Sequence, residues 1–173
     1  MIPLHAAPLT ESDARAVCDW RYEGEYAVYN CSWDAVVSRH WAIADAEKRR
    51  LEFYSLRNDA EELIGFFRLQ TQEACVLISL GLAPEYCGKG LGKVAMALIL
   101  DEAKRTAPDK RPELEVRAFN KRAIACYERC GFSVVDAYYK DTPVGGSEFV
   151  RMAVIQKKLN NEGRYDHQQQ IDY

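Results

Sequence analysis

The chain has 173 residues, 48% hydrophobic and 28% charged, which fits one domain with a substantial core. A net charge of −3 and a pI of about 5.7 argue against general nucleic-acid affinity, which needs a basic face. No apolar stretch is long enough to span a bilayer, and the N-terminus lacks the basic region and apolar core of a signal peptide, so a cytoplasmic protein with no membrane partner is expected.

Six cysteines and three scattered histidines form no CxxC pair or ligand cluster, which argues against a zinc site. Residues 3–9 read as a first strand. Thr10 then stands as an N-cap before a helix with acids in its first turn. Gly24 interrupts, and residues 25–32 read as a loop or short turn. Ser32 is placed to cap a second helix, expected to run unbroken from Trp33 to Arg50.

"LEFYSLRN" and "ELIGFFRLQ" read as two strands joined by a turn, and "ACVLISLGL" as a third, apolar enough for burial on both faces. Pro84 ends it. A helix follows from about Gly90 to Arg105, with Leu91, Val94, Ala95, Leu98 and Ile99 on one stripe. "ELEVRAF" is a strand. Asn120 caps the next helix, and Gly131 stands at its C-terminal end. A final hairpin spans "FSVVDAYYK" and "SEFVRMAVIQKKL". The order predicts a mixed α/β (α+β) domain over residues 1–160, with one parallel crossover, and a polar tail over 161–173.

"CGKGLGK", residues 87–93, is the informative stretch. Glycine is a poor helix former, yet three glycines alternate at the mouth of a helix. A helix N-terminus offers unpaired N–H groups and partial positive charge, and glycines let phosphate oxygens approach the backbone. Lys89 and Lys93 add charge. The spacing is not that of a P-loop, because Val94 follows Lys93, nor that of a dinucleotide fold, because it reads GxGxG. Alone, it reads first as a loop that merely turns a strand into a helix.

About thirty residues on lies "NKRAIACYERCGF", residues 120–132. Together the two segments resemble the GCN5-related N-acetyltransferases, the GNAT superfamily. That family's acetyl-CoA loop, Gln/Arg-x-x-Gly-x-Gly/Ala, falls on Cys87, Gly88, Lys89, Gly90, Leu91 and Gly92. The family's Asn, helical Tyr and closing Gly-Phe fall on Asn120, Tyr127, Gly131 and Phe132. The resemblance implies a mostly antiparallel central sheet with helices on both faces. It also implies an acetyl-CoA-dependent N-acetyltransferase whose acceptor is a small-molecule amine or a peptide N-terminus, with no metal. A homodimer is left open.

By the same resemblance, Leu80, Gly81 and Leu82 lend backbone groups to the pantetheine arm, and Gly81 marks a bulge that splays the strand. Tyr127 protonates the departing thiolate, although by spacing alone it also reads as a core tyrosine. Asn120 touches the cofactor as well as capping its helix. Cys87 departs from the pattern. It either serves through its backbone N–H or is a reactive thiol; with no histidine nearby in sequence as a base, the first is preferred. Trp20, Tyr22, Glu23, Glu25, Tyr26 and Tyr29 are the acceptor-side candidates, and their aromatic faces and carboxylates suit a cation; equally, the aromatics pack under a loop and the acids face water. The alternatives are a non-catalytic acyl-CoA-binding or sensor module, and a structural domain with a vestigial cradle.

Overall fold

The computed structural model describes residues 3–155. Its elements are β1 (His5–Pro8), α1 (Glu11–Asp19), a 3-10 helix (Gly24–Tyr29), α2 (Trp33–Ser38), α3 (Ala46–Glu52), β2 (Phe53–Arg57), β3 (Leu63–Thr71) and β4 (Cys75–Leu82). A 3-10 turn (Pro84–Tyr86) leads into α4 (Leu91–Thr106), followed by β5 (Arg111–Arg117), α5 (Lys121–Arg129), β6 (Phe132–Lys140) and β7 (Ser147–Val154). The expected tail, residues 161–173, and the end of the last expected strand, residues 156–159, lie outside the described residues.

The strands form one sheet in the order β1-β2-β3-β4-β5-β7-β6. Neighbours are antiparallel except β4 and β5, which run parallel because α4 carries the chain across between them. The expected mixed sheet with one parallel crossover is therefore observed.

Strand alternation sends side chains to two faces. Leu56, Phe67, Leu69, Ile78, Leu114 and Val116 meet α4 on one face. Phe53, Leu63 and Phe66 meet α1 and α2 on the other. On α4 the buried stripe is Leu91, Ala95, Met96, Ile99 and Ala103, rotated slightly from the predicted one. Ile99 is fully buried, so truncating it to Ala is expected to cost ~2–5 kcal/mol.

The capping predictions are met. Thr10 and Asp13 form a reciprocal capping box, with Asp13 N–H donating to Thr10 Oγ1 at 3.1 Å and Thr10 N–H to Asp13 Oδ2 at 3.2 Å. The long second helix is instead two short ones. His40 takes a left-handed φ of 53°, and Trp41 N–H closes back onto the Val36 carbonyl at 2.9 Å. Asp45 then starts α3 as a side-chain N-cap, accepting from Lys48 N–H at 2.9 Å. Within residues 25–32, expected as a loop or short turn, the chain as far as Tyr29 belongs to the 3-10 helix Gly24–Tyr29. β4 is deeply buried only in its first half; residues 79–82 lie more open.

Candidate active site

β4 and β5 pair from Cys75↔Arg111 to Ile78↔Leu114 and then part. Beyond that point β4 keeps only β3, and β5 keeps only β7. The gap opens into a cavity of about 960 Å³. Its wall takes in the end of β4, the glycine loop, the first turns of α4 and α5, the end of β5 and the 3-10 helix.

The splay needs no bulge. β3 and β4 stay in register from Gly65↔Leu82 to Thr71↔Val76, which corrects the expectation for Gly81. Gly81 is needed for a different reason: a Cβ there would meet the Phe66 ring at 2.5 Å. The Leu82 carbonyl is already engaged, accepting from Tyr22 Oη at 2.7 Å. That bond ties the aromatic segment to the end of β4.

At the mouth of α4, Gly88 and Gly90 take φ of 74° and 79°, and no atom lies within 4 Å of where their Cβ would stand. Gly90 is the N-cap and offers no side chain. The N–H groups of residues 88–93 have no hydrogen-bond partner among the described residues outside α4. This is an open nest of donors at the positive end of a 16-residue helix, the geometry that binds phosphate. Lys93, Arg122 and Arg129 line the same wall and have no ion-pair partner among the described residues. These residues fit the diphosphate of CoA.

Cys87 contributes differently from expectation. Its N–H is used, donating to the Pro84 carbonyl at 3.2 Å. Burial pushes its thiol up, against the pull of the Arg122 guanidinium beside it, so it is not an activated nucleophile. Leu91 is buried in the core, and Lys89 lies 5.6 Å from the Tyr86 ring; neither lines the cavity.

Asn120 caps α5 as predicted and lines the cavity. Its Oδ1 accepts from Ala123 N–H at 3.1 Å as the cap of α5, and its Nδ2 donates to Tyr29 Oη at 3.1 Å. Tyr127 lines the cavity and packs against Phe132. Among the described residues no hydrogen bond reaches its hydroxyl, yet no sealed side-chain polar atom lacks a partner. Its hydroxyl therefore opens on the cavity. Burial, with Cys126 and Tyr29 nearby, pushes its pKa well above the ordinary tyrosine range.

Of the expected acceptor-side residues, Trp20, Tyr22, Tyr26 and Tyr29 line the cavity. Phe119, which the sequence reading did not single out, packs against Tyr26 and Tyr29 at 5.8 and 6.2 Å. Glu23 and Glu25 are exposed and off the wall, because the 3-10 helix turns them to solvent. The cationic-acceptor reading loses its carboxylates there. In their place the sheet brings up Glu115 and Arg117 from β5, also missed. Glu115 is the one carboxylate on the wall among the described residues. It accepts from Tyr138 Oη at 2.6 Å and Lys140 Nζ at 2.7 Å. Burial pushes its pKa up, but these bonds outweigh burial and hold it below the usual carboxylate range.

The profile of the Acetyltransferase (GNAT) family matches residues 14–132. The chain belongs to that family. It is 31% identical over 113 residues to the uncharacterised N-acetyltransferase YycN of Bacillus subtilis (strain 168), covering 60% of this chain and 72% of that protein. It is 30% identical over 89 residues to YdgE of the same organism, also described as an uncharacterised N-acetyltransferase, covering 49% of this chain and 56% of that one. The match to YdgE thus spans little more than half of that relative's length. Spermidine N-acetyltransferase from Vibrio cholerae, solved with CoA and spermine, shares the fold with a TM-score of 0.65 at 21% identity, covering 90% of this chain and 96% of that one. Among the described residues, no helix is long and apolar enough to cross a membrane, and no three His, Cys, Asp or Glu residues are grouped to hold a metal.

Proposed function

We propose that this chain transfers an acetyl group from acetyl-CoA to a primary amine by direct attack of the amine on the thioester. The observation that carries this reading is the meeting, in one cavity, of the open donor nest at α4 and the parted edges of β4 and β5. Acetyl-CoA, when bound, would supply an activated acyl carbon and a thiolate leaving group.

The nest over residues 88–93 holds the diphosphate, with Lys93 and Arg122 adding charge. The unpaired edge of β4, residues 79–82, lines the pantetheine arm and offers backbone groups toward the thioester carbonyl. Glu115 receives the amine's proton. A carboxylate held this acidic is a weak base, so it accepts the proton as the C–N bond forms and the nitrogen turns acidic. Tyr127, kept protonated by its raised pKa, donates to the sulfur as the C–S bond breaks. The products are the N-acetylated amine and CoA thiol, and exchange with solvent returns a proton from Glu115 to the Tyr127 phenolate.

The rival is a CoA-binding sensor with no transfer. Tyr127 and Glu115 on one wall favour the enzyme, since a sensor needs neither a proton donor nor an acceptor there. The test is a thermal shift with CoA, followed by mass spectrometry of an amine panel incubated with acetyl-CoA. A raised Tm and acetylated amine are expected. A raised Tm with no acetylated amine leaves the sensor; no shift at millimolar CoA removes both.

A further inference from the structure

Arg117 is only 7% exposed, yet no carboxylate among the described residues pairs with it. Buried guanidinium groups are costly unless compensated. Its contacts are few. Nη2 donates to Thr142 Oγ1 at 3.1 Å, and the guanidinium lies 5.0 Å from the Phe149 ring centroid, its cross-strand neighbour on β7. Its remaining N–H groups bond to nothing among the described residues. No sealed side-chain nitrogen among them lacks a partner, so those groups open toward the cavity whose wall Arg117 forms.

Position gives the charge a meaning. Arg117 and Glu115 are two apart on β5, so they share a face, while Leu114 and Val116 turn into the core against α4. Their Cα atoms lie roughly 6.5–7 Å apart by strand rise. Glu115 is already matched by Lys140, with Arg151 Nη1 at 3.7 Å from its Oε1. Arg68, a cavity-lining guanidinium on β3, is matched by Glu52 at 2.6 Å. Arg117 is therefore the charge that β5 brings to the wall with no ion-pair partner among the described residues.

Resting on the acetyltransferase reading above, we propose that the acceptor is an amine that also carries a carboxylate, of the amino-acid type. Its carboxylate pairs with the free edge of Arg117, and its nitrogen lies toward Glu115 and the thioester. The planar fork of arginine suits a carboxylate through two parallel N–H bonds. A polyamine brings a second cation to Arg117, and Glu115, the one carboxylate on the wall among the described residues, is already held by Tyr138 and Lys140.

The test compares matched acceptors in wild type and in Arg117→Gln and Arg117→Lys. Each amino acid is set against its amide and its decarboxylated amine, with spermidine and an N-terminal peptide alongside. CoA thiol release and product mass are read together. Wild type is expected to favour the carboxylate form by at least about tenfold in kcat/KM. Arg117→Gln collapses that ratio by ~10–100-fold, the range of a charge-assisted pair, and Arg117→Lys recovers part of it. A ratio taken within one variant does not depend on the fraction folded, so loss of the Thr142 bond alone does not move it. Equal or better turnover of amides, peptides or spermidine in wild type overturns the proposal and leaves acetyl transfer standing, as does an unchanged ratio in Arg117→Gln. No turnover of any amine overturns the acetyltransferase reading and this proposal with it.

Discussion

Arg122 lays its guanidinium 4.7 Å from the Tyr26 ring centroid and beside the Cys87 thiol. The charge missing at position 87 thus stands there from α5. Arg122→Ala is expected to weaken CoA binding about 3–30-fold, the loss of one charge at a phosphate site. Cys87→Arg alone brings a second cation against the first and gains little; in the Arg122→Ala background it restores affinity. Isothermal titration of CoA into the four proteins checks this. A tightening in Cys87→Arg as large in wild type as in the Arg122→Ala background would show that Arg122 does not fill the place.

Gly90→Val is expected to lower CoA affinity and stability together. The left-handed φ of 79° costs a branched residue ~1–2 kcal/mol, and the side chain covers the donor nest. CoA-induced stabilisation, measured from each protein's own Tm, separates the two effects. If that increment survives in the valine variant, the nest is not where the diphosphate sits.

Tyr127→Phe is expected to lower kcat by ~10²–10⁴-fold while leaving CoA affinity close to wild type. The pH profile carries a second check. A phenol whose pKa is raised above its ordinary value of 10 stays protonated below that pH and is lost as a donor only above it. The wild type should therefore show no alkaline limb from this group between pH 7 and 10. A limb in that window that disappears in the Phe variant would contradict the assignment.

Much of the frame was legible because its signals are local. The capping box of Thr10 and Asp13, the Asn120 cap and the glycine run each depend on a few consecutive residues. Glu115 and Arg117 were not legible. Their alternation marks a strand, but only the end of β4–β5 pairing at Leu114 decides that they face a cavity. Glu23 and Glu25 misled for the converse reason: acids beside aromatics in sequence are sent outward by a 3-10 helix. The break in the second helix was hidden because His40 adopts a conformation usually marked by glycine.

Asn120→Ala removes both the cap of α5 and the 3.1 Å tie to Tyr29. A stability loss of ~1 kcal/mol, within the 0.5–2 kcal/mol range for caps, is expected in denaturant titration. The Asn120→Asp variant keeps the cap oxygen but no amide donor, so it should recover most of that stability. Equal losses in both variants would place the stabilisation in the Tyr29 contact instead.

The central claim is tested most directly by following the acetyl group. The protein is mixed with isotopically labelled acetyl-CoA and an amine panel, and thiol release, amine products and intact protein mass are recorded over one time course. Direct transfer predicts one labelled acetylamine for each thiol released and no acetylated protein at any time. Labelled protein that forms first and then passes its acetyl group on would contradict direct attack, and thiol release with no acetylamine would contradict amine transfer itself.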